Sequence, residues 1–297
     1  MKNILLVGTG LIGSSILRAI HNKKIFKKIY VMEKSKKNIS IINKLNINFK
    51  IIKSIKNISE RVDLIILCVH MSQYPNVIKK IFPAISNKTI ITDVGSTKNL
   101  NFLNLKKGLI KKMNWIPSHP ITGSEVSGPK YGSKDLFKNK WCILIKDKKT
   151  NKNHLFKVQN FWKKLGSKVI FMNAKQHDVI FSITSHLPHL IAYNLVKTAT
   201  DFENKKKSKL IKFSAGGLRD FSRIAASNEI MWRDIFFNNK KNMISAINLF
   251  IKNLNLFKKD IILSRNKMMI SKLTNTKKVR KKIILLKHDT HKPDFGR

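Results

Sequence analysis

The sequence predicts an α/β protein in two parts: a doubly wound parallel sheet over residues 1–173 and an all-α domain over residues 174–297. Short apolar runs alternate with helical patterns as far as Met172, which is the order of a parallel sheet with crossover helices. After Met172, long helical patterns follow without a convincing strand. A chain of 297 residues is long enough for two domains that each bury a core.

Composition and charge narrow the classes of protein. Apolar residues make up 42% of the chain, as in globular proteins, and no run approaches the ~20 apolar residues of a membrane span. The formal net charge of +44 would suit a nucleic-acid partner. Lysine is, however, spread over the whole chain with abundant Ile and Asn, and no RNA- or DNA-binding signature is present. We therefore expect neither a membrane nor a specific nucleic acid, and attribute the charge to an AT-rich coding sequence.

The cysteines and the N-terminus predict a cytoplasmic protein. Cys68 and Cys142 both lie in apolar, strand-like runs, where we expect buried and reduced thiols rather than a disulfide. The first residues lead directly into a strand and lack the pattern of a signal peptide.

The first strand is predicted over residues 3–7, and a glycine-rich turn and a helix follow it. The turn reads G-x-G-x-x-G in the strand–turn–helix context of a Rossmann-type dinucleotide-binding domain. Its first glycine permits the tight turn, its second the approach of a pyrophosphate, and its third close packing of the helix on the strand. The helix N-terminus offers N–H groups and a positive dipole to the phosphates. The predicted cofactor-binding residues of the turn are Gly8, Gly10, Leu11, Ile12 and Gly13.

A second strand, over residues 28–32, ends at Glu33, twenty residues after Gly13. A carboxylate at this spacing would accept hydrogen bonds from a ribose 2′-OH and repel a 2′-phosphate, which favours NAD over NADP. Lys34 and Ser35 lie beside Glu33 and weaken that preference, so NADP stays open.

Further strands are predicted over residues 62–69, 89–94, 115–118, 141–145 and 168–172. In a doubly wound parallel sheet, ligands bind beyond the carboxyl ends of the strands. Gly8, Glu33, Ser96 and His119 all fall just past predicted strand ends. We therefore expect these four residues to share one site.

Two of these residues carry chemistry. The imidazole of His119 stands before a loop of proline, glycine and hydroxyl residues, and it exchanges a proton near neutral pH; a surface histidine in a turn is the alternative. The Ser96 hydroxyl could reach a nicotinamide and a substrate hydroxyl, or it could cap a helix, and both roles are compatible.

In the helical part, patterns run over residues 177–201, 209–213, 230–256 and 258–273. His186 and His189 lie three residues apart and can share a helix face, and Pro188 between them should kink the helix or mark a boundary. Metal binding lacks support because no carboxylate or cysteine partners them at a recognisable spacing, so no metal site is predicted. Either histidine is a buried hydrogen-bonded residue or a substrate contact.

Two arginines follow, Arg219 and Arg223, four residues apart and on one helix face. A guanidinium binds a carboxylate with two parallel hydrogen bonds, which lysine cannot do. We assign Arg219 to a structural pair with Asp220 and Arg223 to a ligand. Trp232 then either walls the pocket or belongs to the core.

Several segments together resemble the prephenate/arogenate (cyclohexadienyl) dehydrogenases of tyrosine biosynthesis. They are GTGLIG, DVGSTK, HPITGSEVSGP, SHLPHL, GGLRDFSRIAAS and MWRDI, and the closing PDFGR resembles one bacterial branch. The resemblance covers nearly the whole chain in the right order. It implies a Rossmann-type N-terminal domain, a helical C-terminal domain that forms a homodimer, and an oxidoreductase that decarboxylates prephenate or arogenate with NAD(P).

The resemblance also implies a role for each matched residue. His119 would accept the proton of the ring C4 hydroxyl while hydride leaves C4 for the nicotinamide, and Ser96 would bind that hydroxyl and orient the cofactor. Arg223 would bind a substrate carboxylate, helped by His189, and Glu125 would lie near the pocket entrance. Leu218, Asn228-Glu229 and His70 depart from the family pattern, at positions that bear on pocket shape and cofactor preference. Alternatives are another two-domain hydroxyacid dehydrogenase and a nucleic-acid-binding protein with an idle Rossmann domain.

Overall fold

The computed structural model describes residues 1–99, 113–206 and 209–286. Its N-terminal half is built on six strands: β1 Asn3–Val7, β2 Lys28–Met32, β3 Lys50–Ile51, β4 Leu64–Leu67, β5 Ile90–Asp93 and β6 Asn114–Trp115. They form one parallel sheet in the order β3-β2-β1-β4-β5-β6. The α-helices among the described residues of this half are α1 Leu11–Asn22, α2 Lys36–Asn43, α3 Tyr74–Ile81 and α4 Lys152–Lys164. The predicted α/β class is confirmed, and β3, of only two residues, is the strand that the pattern missed.

The central strands are buried on both faces of the sheet, as their continuous apolar runs predict. Ile4 and Leu6 of β1 pack on one face with α1 and α4. Leu5 and Val7 point to the other face and pack with α3, because successive side chains of a strand alternate in direction. The two cores hold the strand ends, and therefore the turns beyond them, in fixed positions.

The predicted strand over residues 115–118 is wrong as a single element, because the chain changes sheets within it. Ile116 still donates its N–H to Ile91 of the parallel sheet, whereas the carbonyl of Pro117 accepts a hydrogen bond from Ile145. Proline has no N–H with which to continue a ladder. The chain therefore leaves the first sheet at this point.

The second sheet consists of β7 Ser118–Pro120, β8 Trp141–Ile145 and β9 Lys168–Met172, in that order. β7 is antiparallel to β8, whereas β8 and β9 are parallel. The expectation that His119 follows the end of a strand is also wrong. His119 lies inside β7, opposite Ile143, so its backbone is fixed by a ladder rather than by a loop.

The C-terminal half is helical throughout its described residues. Its helices are α5 Ala174–Phe181, α6 Leu187–Lys206, α7 Gly216–Ala225, α8 Glu229–Asn238, α9 Lys240–Ile262 and α10 Asn266–Leu285. A π-helical turn, Ser182–His186, joins α5 to α6. The helix kink or boundary predicted from Pro188 is therefore present as this π-helical turn. The predicted break near residue 257 is wrong: the helices end at Asn238 and Ile262, and Ser264 adopts a φ of 49°, a left-handed backbone that stops a helix.

The helical stretch Ala174–Lys206 is long and apolar enough to span a membrane, with a mean hydropathy of 1.3 in its most apolar window, of which 22% is buried. This differs from the prediction that no apolar run approaches the length of a membrane span. One helix of this kind is weak evidence for a membrane, and its first turns hold buried polar side chains that bind the N-terminal half (below). Because this stretch packs on both halves, the division of the chain at residue 173 remains a prediction.

Cys68 and Cys142 are both free. Cys142 is buried as expected, whereas Cys68 is only half-buried, and burial raises the pKa of both thiols. The last described helix, α10, ends at Leu285 and is rich in lysine. The closing residues 293–297, which carry part of the resemblance, lie outside the described residues.

Candidate active site

The glycine turn after β1 has a steric reason for two of its three glycines. Gly8 has a φ of 90°, and a Cβ on it would lie 2.7 Å from the carbonyl oxygen of Cys68. A Cβ on Gly13 would overlap the Gly8 carbonyl oxygen. A Cβ on Gly10, by contrast, would meet no atom within 4 Å. The turn therefore presents open space at Gly10, where a pyrophosphate would approach the backbone.

The first N–H groups of the next helix, α1, are not capped by a side chain that would compete with a bound anion. Its N-cap residue is Gly10, which has no side chain to cap the first N–H groups, and its first turn contains no acidic residue. The N–H groups of the first turn, which begins with Leu11 and Ile12, and the positive end of the helix dipole are thus free for phosphate oxygens. These features fit a dinucleotide.

The Glu33 carboxylate is bound by the loops around it. It accepts hydrogen bonds from Thr9 N at 2.8 Å, Thr9 Oγ1 at 2.7 Å, Lys34 N at 2.7 Å, Ser35 N at 2.9 Å and Asn38 Nδ2 at 3.3 Å. Burial alone would raise the pKa of Glu33, but the hydrogen bonds from Ser35 and Thr9 outweigh it and lower that pKa. Glu33 is therefore an ionised carboxylate beside the glycine turn, where it disfavours a 2′-phosphate.

A buried ion pair that the sequence did not predict supports the loop carrying Ser96. Lys98 Nζ lies 2.6 Å from Asp93 Oδ2, and neither side chain is exposed. Lys98 Nζ also donates to the carbonyl of Ser118 at 2.7 Å, and Trp115 Nε1 donates to Asp93 at 3.1 Å. Lys98 thus joins the end of β5 to β7, directly beside His119.

The Ser96 hydroxyl forms no hydrogen bond with the described residues, and Ser96 is half-buried between the buried residues Gly95 and Thr97. It is therefore available to a ligand. The alternative of a helix cap concerns a segment that continues into residues outside those described.

His119 is 9% exposed and belongs to a chain of buried polar groups. Its Nδ1 lies 2.8 Å from His177 Nε2, and His177 Nδ1 lies 2.8 Å from Asp178 Oδ1. The His119 Nε2 has no hydrogen-bond partner among the described residues. Burial, His177, Lys98 and His186 hold the pKa of His119 well below its usual range, so the ring is neutral near pH 7.

Sequence reasoning missed His177 and Asp178. They lie on α5, 58 residues beyond His119, and an isolated His-Asp pair at the start of a helix gives no signal of a distant partner. Asp178 also accepts hydrogen bonds from the backbone N–H groups of Lys98 at 2.8 Å and Asn99 at 2.9 Å. The loop of Ser96, strand β7 and helix α5 are therefore tied together around His119.

The histidines of the SHLPHL segment have different surroundings. His186 is fully buried, its Nδ1 lies 3.1 Å from Asn239 Nδ2, and burial lowers its pKa to about 4. His189 is half-buried; its Nδ1 donates to the Ser185 carbonyl at 2.9 Å, and its ring stacks on Trp232 with 3.8 Å between centroids. His186 therefore fits the interpretation as a buried, hydrogen-bonded residue. Nε2 of His189 has no partner among the described residues and is open to a ligand.

Trp232 is 5% exposed, stacks on His189 and contacts His186 at 6.2 Å between ring centroids. Asn239 Nδ2 lies 3.1 Å from His186 Nδ1 and donates to the carbonyl of Asp178 at 2.8 Å, and Asp178 leads through His177 to His119. The structure thus connects His119, His186, His189 and Trp232 in one neighbourhood. Trp232 therefore both lies beside the candidate site and belongs to the local core.

Arg223 and Glu125 face each other across the two halves of the chain. Arg223 Nη1 of α7 lies 3.6 Å from Glu125 Oε2 on the loop after β7, and their side chains are 59% and 32% exposed. The Ser124 hydroxyl donates to the Glu125 carboxylate at 2.9 Å. The backbone N–H of Glu125, the Ser124 hydroxyl and Arg223 together lower the pKa of Glu125. No ion pair joins Arg219 to Asp220 in the described part of the chain, so that assignment is wrong; both side chains are exposed on α7.

No group of His, Cys, Asp or Glu residues that could hold a metal ion occurs among the described residues. The glycine turn, the neutral His119 and Arg223 beside the Glu125 carboxylate are features of an oxidoreductase with a dinucleotide-binding domain. Residues 16–171 match the family model "Prephenate dehydrogenase, nucleotide-binding domain", and residues 173–275 match "Prephenate dehydrogenase, dimerization domain". The chain belongs to the prephenate dehydrogenase family.

Relatives and solved structures agree with this. The chain is 32% identical to a cyclohexadienyl dehydrogenase of Zymomonas mobilis over 85% of this chain and 86% of the relative. It is 32% identical to the prephenate dehydrogenase of Bacillus subtilis over 84% of this chain and 67% of the relative. The crystal structure of Aquifex aeolicus prephenate dehydrogenase with hydroxyphenyl propionate and NAD+ superposes with a TM-score of 0.87 and 33% identity, covering 95% and 98% of the two chains. The family resemblance of the motifs is confirmed.

Proposed function

We propose that this protein catalyses the NAD-dependent oxidative decarboxylation of prephenate or arogenate, yielding 4-hydroxyphenylpyruvate or tyrosine, CO2 and NADH in tyrosine biosynthesis. The observation that carries the proposal is the neutral His119, whose Nε2 has no partner in the described part of the chain and which is joined to the glycine turn through contiguous residues. Cys68 donates its N–H to Val7 beside the turn and follows Leu67, which pairs with Asp93 in the sheet. Lys98 then links Asp93 to Ser118.

His119 acts as the base. Its Nε2 accepts the proton of the hydroxyl on the ring carbon C4, and the Ser96 hydroxyl binds the same oxygen. Bound NAD supplies the acceptor for the hydride that leaves C4. As CO2 leaves, the electron pair of the C1–CO2 bond moves through the ring toward the C4 oxygen, which makes the ring aromatic, and that oxygen takes back the proton held by His119. The protein therefore supplies a base that returns its proton, positioning and charge complementarity. The lowered pKa of His119 keeps the base unprotonated.

Substrate binding falls to groups on both sides of the cleft. Arg223 binds a substrate carboxylate in place of its exposed partner Glu125, because a guanidinium suits a planar carboxylate. Glu125 lies at the entrance. His189, held by Trp232 and the Ser185 carbonyl, offers Nε2 to the substrate.

Cofactor contacts fall to Gly8, Gly10, Leu11, Ile12, Gly13, Glu33 and Ser96. The carboxylate of Glu33 favours NAD over NADP, because it would repel a 2′-phosphate. Its five hydrogen bonds support this role, since they hold the charge in place beside the turn.

The active form is a cytoplasmic homodimer joined through the C-terminal helices. The match to a dimerization domain supports this, and so do the exposed apolar side chains of α9, including Ile244, Ile251 and Leu254. A second copy would also cover the apolar surface of the long helix Ala174–Lys206.

The test is to mix purified protein with NAD and with prephenate or arogenate, and to follow NADH by absorbance. NADH formation with at least one substrate is expected, and its absence with both substrates and both NAD and NADP would reject the proposal. His119→Asn should lower kcat by about 10²–10⁴-fold, the typical contribution of a general base, while calorimetry shows unchanged NAD binding.

Arg223→Ala tests the substrate site separately and should raise the KM of the substrate far more than that of NAD. The matched control is Arg265→Ala. Arg265 is also a half-exposed arginine beside an acid, Asp260, at 3.9 Å, but it lies between α9 and α10, so both KM values should stay as in the wild type. Equal KM values for the Arg223 and Arg265 variants would contradict the assignment.

A further inference from the structure

We propose that His177 and Asp178 are positioning residues that set the tautomer of His119, so that the lone pair of the base lies on Nε2. This inference rests on the proposed function for the role of His119, and its geometry can be tested without turnover. The three groups form a continuous chain, with 2.8 Å between His119 Nδ1 and His177 Nε2 and 2.8 Å between His177 Nδ1 and Asp178 Oδ1.

The direction of the hydrogen bonds from His119 through His177 to Asp178 follows from the Asp178 carboxylate, which cannot donate. An ionised carboxylate only accepts hydrogen bonds, and Asp178 already accepts from the N–H groups of Lys98 and Asn99. His177 must therefore carry its proton on Nδ1 and present a lone pair on Nε2. His119 then donates from Nδ1 to that lone pair, which leaves its own Nε2 without a proton. If either histidine adopted the other tautomer, a hydrogen would lie on His119 Nε2, where the base needs a lone pair.

Packing fixes both rings as well as their protons. His177 is fully buried and Asp178 is 3% exposed. Phe181, one turn along the helix, stacks on His177 with centroids 4.5 Å apart and also lies 4.9 Å from His119. The rings of His119 and His177 meet edge to face at 5.1 Å. Neither ring can turn over without displacing this cluster.

The charges around His119 favour the same state. Lys98 on the β5 loop and His186 in the π turn oppose a positive His119, and the Cys142 thiol lies on the neighbouring strand β8. Asp93 neutralises Lys98 by direct contact. When His119 takes up the substrate proton, its Nδ1–H remains hydrogen-bonded to His177 Nε2. The new positive charge on His119 is then separated from the Asp178 carboxylate by two hydrogen bonds. No bond to His177 needs to form or break in this step.

The variants are chosen at His177, because Asp178 also holds the backbone of Lys98 and Asn99. His177→Phe keeps an aromatic ring beside Phe181 and removes the acceptor for His119 Nδ1–H. His177→Gln keeps an acceptor oxygen at a similar reach. We expect His177→Phe to lower kcat by about 10–100-fold, as loss of an outer-shell partner commonly does, with KM values for substrate and NAD near those of the wild type and with the acid limb of the kcat–pH profile moved to lower pH. His177→Gln should restore much of kcat and the profile.

A second measurement is independent of activity. In ¹⁵N-histidine-labelled protein at pH 8, the His119 signals, assigned by their loss in His119→Asn, should show the Nδ1–H tautomer. In His177→Phe they should move toward the Nε2–H form. A wild-type His119 with its proton on Nε2 would overturn the inference, even if His177→Phe fails to fold. Wild-type kcat in His177→Phe would overturn it as well. Absence of NADH from the wild-type enzyme would instead reject the proposed function and leave the tautomer measurement to decide the geometry.

Discussion

The two halves of the chain differ in how fully each buries its own apolar side chains. In the N-terminal half every residue of β1, β4 and β5 is buried. In the C-terminal half, α7 and α10 contain no buried residue among those described, and α9, of 23 residues, buries only Met243, Ala246 and Asp260. The first half therefore buries its central strands within one chain, whereas the second leaves many apolar side chains of its described helices exposed, including Ile244, Ile251 and Leu254.

The comparison suggests that the C-terminal helices draw their stability from a second copy, and the substitution with the largest expected effect tests this. Ile251 and Leu254, 48% and 54% exposed, lie three residues apart on α9. Burial of each in an interface would contribute about 1.5–3 kcal/mol per copy. Ile251→Lys with Leu254→Lys should therefore convert a dimer to a monomer in light scattering.

The matched control is Phe156→Lys, which alters a 60% exposed apolar residue on α4 of the N-terminal half. The mass should stay that of the wild type. A monomeric wild type, or a double variant that remains dimeric, would break the comparison.

The next effect concerns the ion pairs of the two halves. Lys98 and Asp93 are fully buried, so Lys98→Met leaves a buried carboxylate without its partner and should lower the free energy of unfolding by about 3–5 kcal/mol. Lys197 and Asp201 on α6 are 70% and 60% exposed, so Lys197→Met should change it by less than about 0.5 kcal/mol. Urea unfolding of both variants measures the difference, and similar losses would contradict the assignment of burial.

A third effect lies where the two halves meet. Because the folded pKa of His186 is about 4, below the ordinary 6.5, its contribution is fully present above pH 6.5 and is lost as the pH falls toward 4. The loss should reach on the order of 3 kcal/mol. His186→Gln cannot take up this proton, so urea unfolding at pH 7.5 and pH 4 should show a smaller decrease than in the wild type. Equal decreases would exclude His186 as the cause.

The smallest effect concerns Glu33, which is half-buried. Its folded pKa is lowered, so its contribution is present above about pH 4.5 and disappears as the pH falls through the folded pKa. Glu33→Gln should cost about 1 kcal/mol at pH 7, after allowance for partial exposure, and less at pH 3. A cost that does not change with pH would show that the charge of Glu33 is irrelevant to stability.

Much of the fold followed from periodicity. The strands β1, β2, β8 and β9 have the predicted bounds, because continuous apolar runs between turn residues have few other uses. Two errors in the predicted elements have a visible cause: the chain passes to a second sheet at Pro117, and a helix ends before Asn239, whose side-chain amide donates to the Asp178 carbonyl at 2.8 Å. Both depend on contacts with distant segments.

By itself, the sequence determined the glycine turn, the acid at Glu33, the class of fold and the family, since each is encoded by residues that are neighbours along the chain. Tertiary structure alone decided which groups surround His119. Asp93, Lys98, His177 and Asp178 come from separate elements, and Asp178 reaches Lys98 across 80 residues. A hydrogen-bonded chain of this kind depends on positions to within about 1 Å, which only the packing of both cores and the helix between them supplies.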